Sequence, residues 1–159
     1  MAENIILSRK MQEKINNSLE RVMIETNADH VVFATKSGEI LEHRGISLGT
    51  QVVSITALLT GVFNTTKELA KIVNEKNFEQ FFIKGRKWKL FYKNISSLFI
   101  LIVLFKDRSL LGTVKISSEK FANNVNKIFE QGKSSSFVKE IQRDDGFLEK
   151  DLLEGLFKG

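Results

Sequence analysis

The chain of 159 residues has no cysteine, no proline, one tryptophan, one tyrosine and two histidines. Without cysteine there is no disulfide framework, no thiolate metal site and no thiol nucleophile. Histidine adds little: His30 and His43 fall at opposite outer ends of a predicted hairpin, close enough to meet. Two imidazoles without a carboxylate triad make a poor metal site, and both are expected on the hairpin surface. Whole motifs are missing too. There is no Walker A loop, dinucleotide fingerprint, nucleophile elbow or zincin helix, and the ten glycines are scattered at turns instead of clustered to cradle a phosphate. Asp144 and Asp145 are adjacent carboxylates, but they stand where a helix starts, and capping accounts for them. The expectation is a protein with no catalytic residue, metal or cofactor of its own.

Long hydrophobic runs are absent as well. The apolar stretch "LFILIVLF" (98–105) falls far short of the roughly 20 residues a membrane helix needs, and Lys106, Asp107 and Arg108 end it. The first residues, "MAENIILSRKMQEK", hold only a short apolar cluster and no small-residue cleavage pattern. Neither a secretory signal nor membrane insertion is expected, and the cytoplasm is the expected compartment. Hydrophobic residues make up 42% and charged residues 27%, which suits one domain with a real core. The net charge of +5 comes from 24 basic and 19 acidic side chains that are interspersed, so it reads as a mixed solvated surface. The densest basic stretch, "KGRKWKLFYK" (84–93), interleaves cations with Trp88, Phe91 and Tyr92. Such a stretch can stack bases and follow phosphates, but no nucleic-acid signature accompanies it. A hairpin with polar residues on its open edge or face explains it, and no nucleic-acid partner is expected.

What is present is a clear order of elements. Met11, Ile15, Leu19 and Val22 share one helical face after Ser8, a plausible N-cap. Two strands follow, 30–35 and 39–43, joined across "KSG", where Gly38 supplies the positive φ of the turn. A long helix over 50–74 carries Val52, Ile55, Leu59, Val62, Thr66, Leu69 and Val73 as a stripe. Its other faces are also apolar or small over the first half: Val53, Ala57, Leu58, Gly61, Phe63. A helix greasy nearly all round is buried nearly all round, so beyond the sheet it needs a second cover from the same chain, another copy or a partner. Three strands come next, 78–83, 87–92 and 98–105. The last is apolar on both alternating sets, so it belongs at the centre of a sheet covered on both sides. A final helix from Ser109 to Glu130 aligns Leu111, Val114, Ser118, Phe121, Val125 and Ile128, and Gly132 is expected to stop it. "GKSSS" (132–136) reads as a linker after a domain spanning 1–131. The remainder, 137–159, is an amphipathic helical tail in which Leu148, Leu152 and Leu156 align; it either packs back on the domain or docks in a partner's groove.

The order αββαβββα, with these residues inside it, resembles the roadblock (dynein light chain) family. "ADHVVFATKSGEIL" resembles its first hairpin, "VVSITALLTGVFNTTKELA" its small-and-apolar central helix, "FEQFFIKGRKWKLFYKN" its second hairpin, and "LFILIVLFKDRSLLGTVK" its final strand and "LG" helix start. The resemblance implies an α+β fold: a five-stranded antiparallel sheet with the long helix on one face and the terminal helices on the other. Prokaryotic members of the MglB type are dimeric regulators of small Ras-like GTPases. By that resemblance the chain is expected to form a homodimer through 78–83 and its long helices, with Val53, Ala57, Phe78, Gln80 and Phe82 as dimer residues. Ser54, Leu58, Gly61, Asn64, Thr65, Glu68 and Lys71 are then the residues that meet the GTPase, and Leu148, Leu152 and Leu156 make a tail contact. A nucleotide-insensitive scaffold is the alternative, and a small-molecule sensor a more distant one. The missing proline, the basic second hairpin and the tail depart from the family pattern. Nothing marks Arg44, Arg86 or Arg108 as an arginine supplied in trans, so any stimulation of hydrolysis is expected to be indirect.

Overall fold

The structure, a computed structural model, describes residues 7–45 and 48–132. The predicted tail, with Leu148, Leu152 and Leu156, and the predicted linker past its first residue lie outside the described residues. Helix α1 (Arg9–Thr26), strands β1 (His30–Thr35) and β2 (Ile40–Arg44), helix α2 (Gln51–Ile72), strands β3 (Gln80–Lys84), β4 (Lys89–Ile95) and β5 (Phe99–Phe105), and helix α3 (Leu111–Gln131) follow in chain order. All strand pairs are antiparallel, in the order β2-β1-β5-β4-β3. The α+β architecture expected from the sequence is the one observed.

Strand alternation sorts the core into two layers. Val31, Phe33, Phe91, Phe99, Leu101, Val103 and Phe105 face α1 and α3; Val32, Ala34, Tyr92, Ile100, Ile102 and Leu104 face α2. Helix α1 begins where the Ser8 hydroxyl accepts the Met11 N–H at 3.1 Å and ends at Asn27, whose φ of 53° closes a left-handed cap. Its buried face is Met11, Ile15, Leu19 and Val22, as the spacing predicts. Val114, Phe121, Val125 and Ile128 of α3 complete that layer, and Phe121 meets Phe33 edge-on with centroids 5.5 Å apart. Gly132 caps α3 at φ −64°, donating its N–H to Ile128 and Phe129, so the expected stop occurs without a left-handed glycine.

Element bounds move most in the second hairpin, where β3 and β4 both start two residues later than expected and β4 ends three later. Its turn is wider than expected because the Gly85 N–H donates to the Trp88 carbonyl at 2.8 Å, which pairs Lys84 with Lys89. β4 then runs on through Lys93 to Ile95, since Ile95 is buried and the Lys93 ammonium is held by Glu119 at 2.7 Å. Ser96, at φ 56°, turns the chain into β5.

Phe121→Ala removes a buried ring from the α3 layer. It is expected to cost about 3–5 kcal/mol of unfolding free energy in a urea titration, the range for large-to-small changes of buried aromatics.

Candidate functional site

Among the described residues α2 is the one helix on its face of the sheet, and its buried side differs from the stripe expected from the sequence. Val52, Thr56, Leu59, Thr60, Phe63 and Ala70 face inward. Val62, Leu69 and Val73, expected inside, are exposed. The expected stripe repeats every 3.5 residues, which on a straight helix drifts by about 20° per heptad. Over its length it therefore rotates away from the sheet. Thr56 and Thr60 take the inward positions because each hydroxyl donates to the carbonyl four residues back, at 2.8 Å, leaving the methyl to pack.

The outward side is broad and carries exposed apolar residues across its width. Leu58 is 71% exposed, Ile72 79% and Val53 64%. Ser54, Leu58, Gly61, Asn64, Thr65, Glu68 and Lys71, the expected partner residues, are all exposed on α2. Val53 and Ala57 are exposed there too. Of the remaining expected dimer residues, Gln80 is exposed on β3 while Phe78 and Phe82 are half-buried, with Phe82 packed 6.1 Å from Phe105 on the opposite sheet face. Ala57 and Thr60 carry the contact with the β1–β2 turn at Gly38. At 3.6 residues per turn Val62, Leu69 and Val73 project from the flank of α2 away from that turn. β3 is an edge strand, and its Ile83 is 40% exposed on the α2 face. The α2 side of the sheet thus carries both an exposed apolar helix flank and a strand edge. Residues 62, 69, 73 and 83 were missed from the sequence, and the drift of a 3.5-residue repeat is the signal that exposes the first three.

The far end of the sheet is basic. Lys84, Arg86 and Lys87 are exposed at the β3–β4 turn, Lys89 binds Asp107 at 2.8 Å, and the Lys106 ammonium lies 4.5 Å from the Trp88 ring centre. Arg108 is tied to Asp29 at 2.9 Å. Arg44 is engaged by Glu20 at 3.3 Å and by Asn16 at 2.9 Å.

The two histidines meet as the hairpin geometry requires, but only His43 is on the surface; His30 is wholly buried, which corrects the expectation of two surface residues. His30 Nε2 and His43 Nδ1 are 3.1 Å apart, and with ring centroids at 5.2 Å the rings meet edge to edge through one hydrogen bond. Gly45, at φ 126°, lets the chain pass over His30; a Cβ there would stand 2.5 Å from His30 Nδ1. Burial first, and the neighbouring His43 second, hold the His30 pKa below its ordinary 6.5. Among the described residues no group of three or more His, Cys, Asp or Glu is placed to hold a metal ion. A polar cleft of about 350 Å³ between β4 and α3 is lined by Lys93 and Glu119, already paired, together with Asn94 and Asn123. Among the described residues no helix is long and apolar enough to cross a membrane.

His30 titrates at ordinary pKa once unfolded, so the unfolded state binds more protons just below pH 6.5, and stability falls with acid there. The expected unfolding midpoint in denaturant declines as pH drops below about 6.5 and levels off below the folded pKa. His30→Gln is expected to flatten that slope.

No family model matches the chain, and no characterised protein matches it by sequence. Solved structures do match its fold. MglB from Myxococcus xanthus is 28% identical, with a TM-score of 0.72 over 80% of this chain and 96% of that one. The gliding protein MglB from Thermus thermophilus is 21% identical, with a TM-score of 0.75 over 82% of this chain and 99% of that one. A Roadblock/LC7 domain from Streptomyces avermitilis superposes at a TM-score of 0.63 with 12% identity, over 69% of this chain and 92% of that one.

Proposed function

We propose that this chain, which has the roadblock/MglB-like fold, is a homodimeric regulator that binds a small Ras-like GTPase on the outward face of α2 and modulates its nucleotide cycle. The observation that carries the reading is the pairing of an exposed apolar helix with an open strand edge. Val62, Leu69 and Val73 leave apolar surface in water, as does Ile83 on the same side of the sheet, and β3 is an edge strand among the described residues. A second copy placed by a two-fold axis along β3 covers both at once, because antiparallel pairing of the same strand is self-complementary. The sheets join and the flanks of the two α2 helices pack together. Ser54, Leu58, Gly61, Thr65 and Glu68 stay open on each α2 and form the platform for the GTPase. Small residues at 54 and 61 permit close approach, and Leu58 is the apolar anchor.

The chain brings no nucleotide-binding motif and works as a regulator in the cytoplasm, without an active site of its own. Arg44 and Arg108 are already held by acidic partners, so neither is free to reach a transferring phosphoryl group. Stimulation of hydrolysis then proceeds by ordering the GTPase's own switch segments against the α2 platform.

Two variants separate the parts of this reading. Val62→Glu is expected to give a folded monomer in sedimentation equilibrium, since the new charge enters the apolar flank. Leu58→Glu is expected to stay dimeric and to lose GTPase binding. Wild type that sediments as a monomer would end the dimer reading. Equal binding of GDP- and GTP-loaded GTPase would show a nucleotide-insensitive scaffold instead of a regulator.

A further inference from the structure

Six basic side chains among the described residues are half-buried or buried: Lys36, Arg44, Lys67, Lys89, Lys93 and Lys106. Four have a carboxylate within 4.0 Å: Arg44 has Glu20, Lys89 has Asp107, Lys93 has Glu119 and Lys106 has Asp29. Lys36 and Lys67 have none among the described residues. Instead they share one aromatic ring, with ammonium groups 5.8 and 5.5 Å from the centre of Phe63. Phe63 in turn stacks on Tyr92 at 5.1 Å, and Tyr92 on Phe81 at 4.6 Å, so the ring beneath the lysines is fixed.

Each ammonium gains from the ring face, yet two on one ring repel each other. Burial first and Lys67 second depress the pKa of Lys36. Acids nearby in sequence do not relieve this: Glu39, on the same turn as Lys36, is exposed, and Glu68 is paired with Lys71 at 3.1 Å. The pair is held by the β1–β2 turn, which rests on α2 at Thr60. One turn to either side of Lys67, Asn64 and Lys71 open onto the outward face of α2.

We propose that Lys36 and Lys67 form an anion site over Phe63, filled by a carboxylate side chain of the protein that docks on the outward face of α2. This rests on the reading of α2 as a docking platform. A carboxylate accepts hydrogen bonds from both ammonium groups and cancels their repulsion, a gain available only when the partner is bound. Inorganic phosphate shares that chemistry and is the competing source of the anion.

The test uses the full chain and each small Ras-like GTPase encoded in the same genome, loaded with a non-hydrolysable GTP analogue, in binding measurements at several salt concentrations. Lys36→Met with Lys67→Met keeps the apolar stems over Phe63 and removes the charge. It is expected to weaken binding roughly tenfold or more and to flatten the salt dependence, with Lys36→Arg and Lys67→Arg restoring both. Single Lys36→Gln and Lys67→Gln variants, checked for fold by circular dichroism, give the same direction if the double variant does not fold. Leu58→Glu abolishing binding while the methionine pair leaves it unchanged overturns this proposal and leaves the docking reading intact. No binding by wild type removes both. Phosphate titrated into the protein alone is expected to give no saturable shift of the Phe63 ring signals; a saturable shift that the methionine pair abolishes overturns the side-chain source in favour of a free oxyanion.

Discussion

β5 is buried at every residue, and that one constraint orders the rest. A strand apolar on both faces cannot border water, so it must have a strand on each side and a covering layer above and below. β1 and β4 supply the strands. The layers then have to come from the helices, and their composition decides which goes where. α1 and α3 each carry one apolar face and together seal one side. α2 must cover the other side alone, and a single helix is narrower than a five-stranded sheet. The sheet margin at β3 is left partly open as a result, next to a helix that has more apolar surface than it can bury.

Charge follows the same division. Where the core is thick, cations are matched: Lys93 reaches Glu119 and Lys89 reaches Asp107. Tyr92 lies beneath α2 with its hydroxyl enclosed, and burial raises its pKa, so it acts as an apolar ring in the column with Phe63 and Phe81. The lysines at the end of that column are the exception to matching: Lys67 sits on the helix that also bears the surplus apolar surface, and Lys36 on the turn that rests against that helix.

Much of this was legible in the sequence because burial leaves a periodic trace. The α1 face, the glycine turn at Gly38 and the doubly apolar β5 all follow from spacing, since each is decided within a few residues. The outward residues of α2 were legible by resemblance. What spacing could not give is the rotation of a long helix greasy on several sides: around Val62 the neighbouring faces are apolar enough to be inside, and only the sheet decides. Threonine misleads for a related reason, since Thr56 and Thr60 look polar until their hydroxyls are returned to the helix backbone. His30 became a core residue because Gly45 folds over it, a contact between the two ends of a hairpin that no local pattern encodes.

The two margins of the sheet are built unalike. β2 carries a bulge at Leu41, where Phe33 pairs with Glu42 and Ala34 with Ile40, and it holds an exposed His43 and a half-buried, clamped Arg44. A kinked, charged strand is a poor template for another chain. β3 pairs with β4 without a bulge and carries Phe81, Phe82 and Ile83. Two chains joined at β3 would present nothing but β2 margins to the outside, so strand addition would terminate after one step. A symmetric pair, and not a growing fibre, would then be the end point of such an addition.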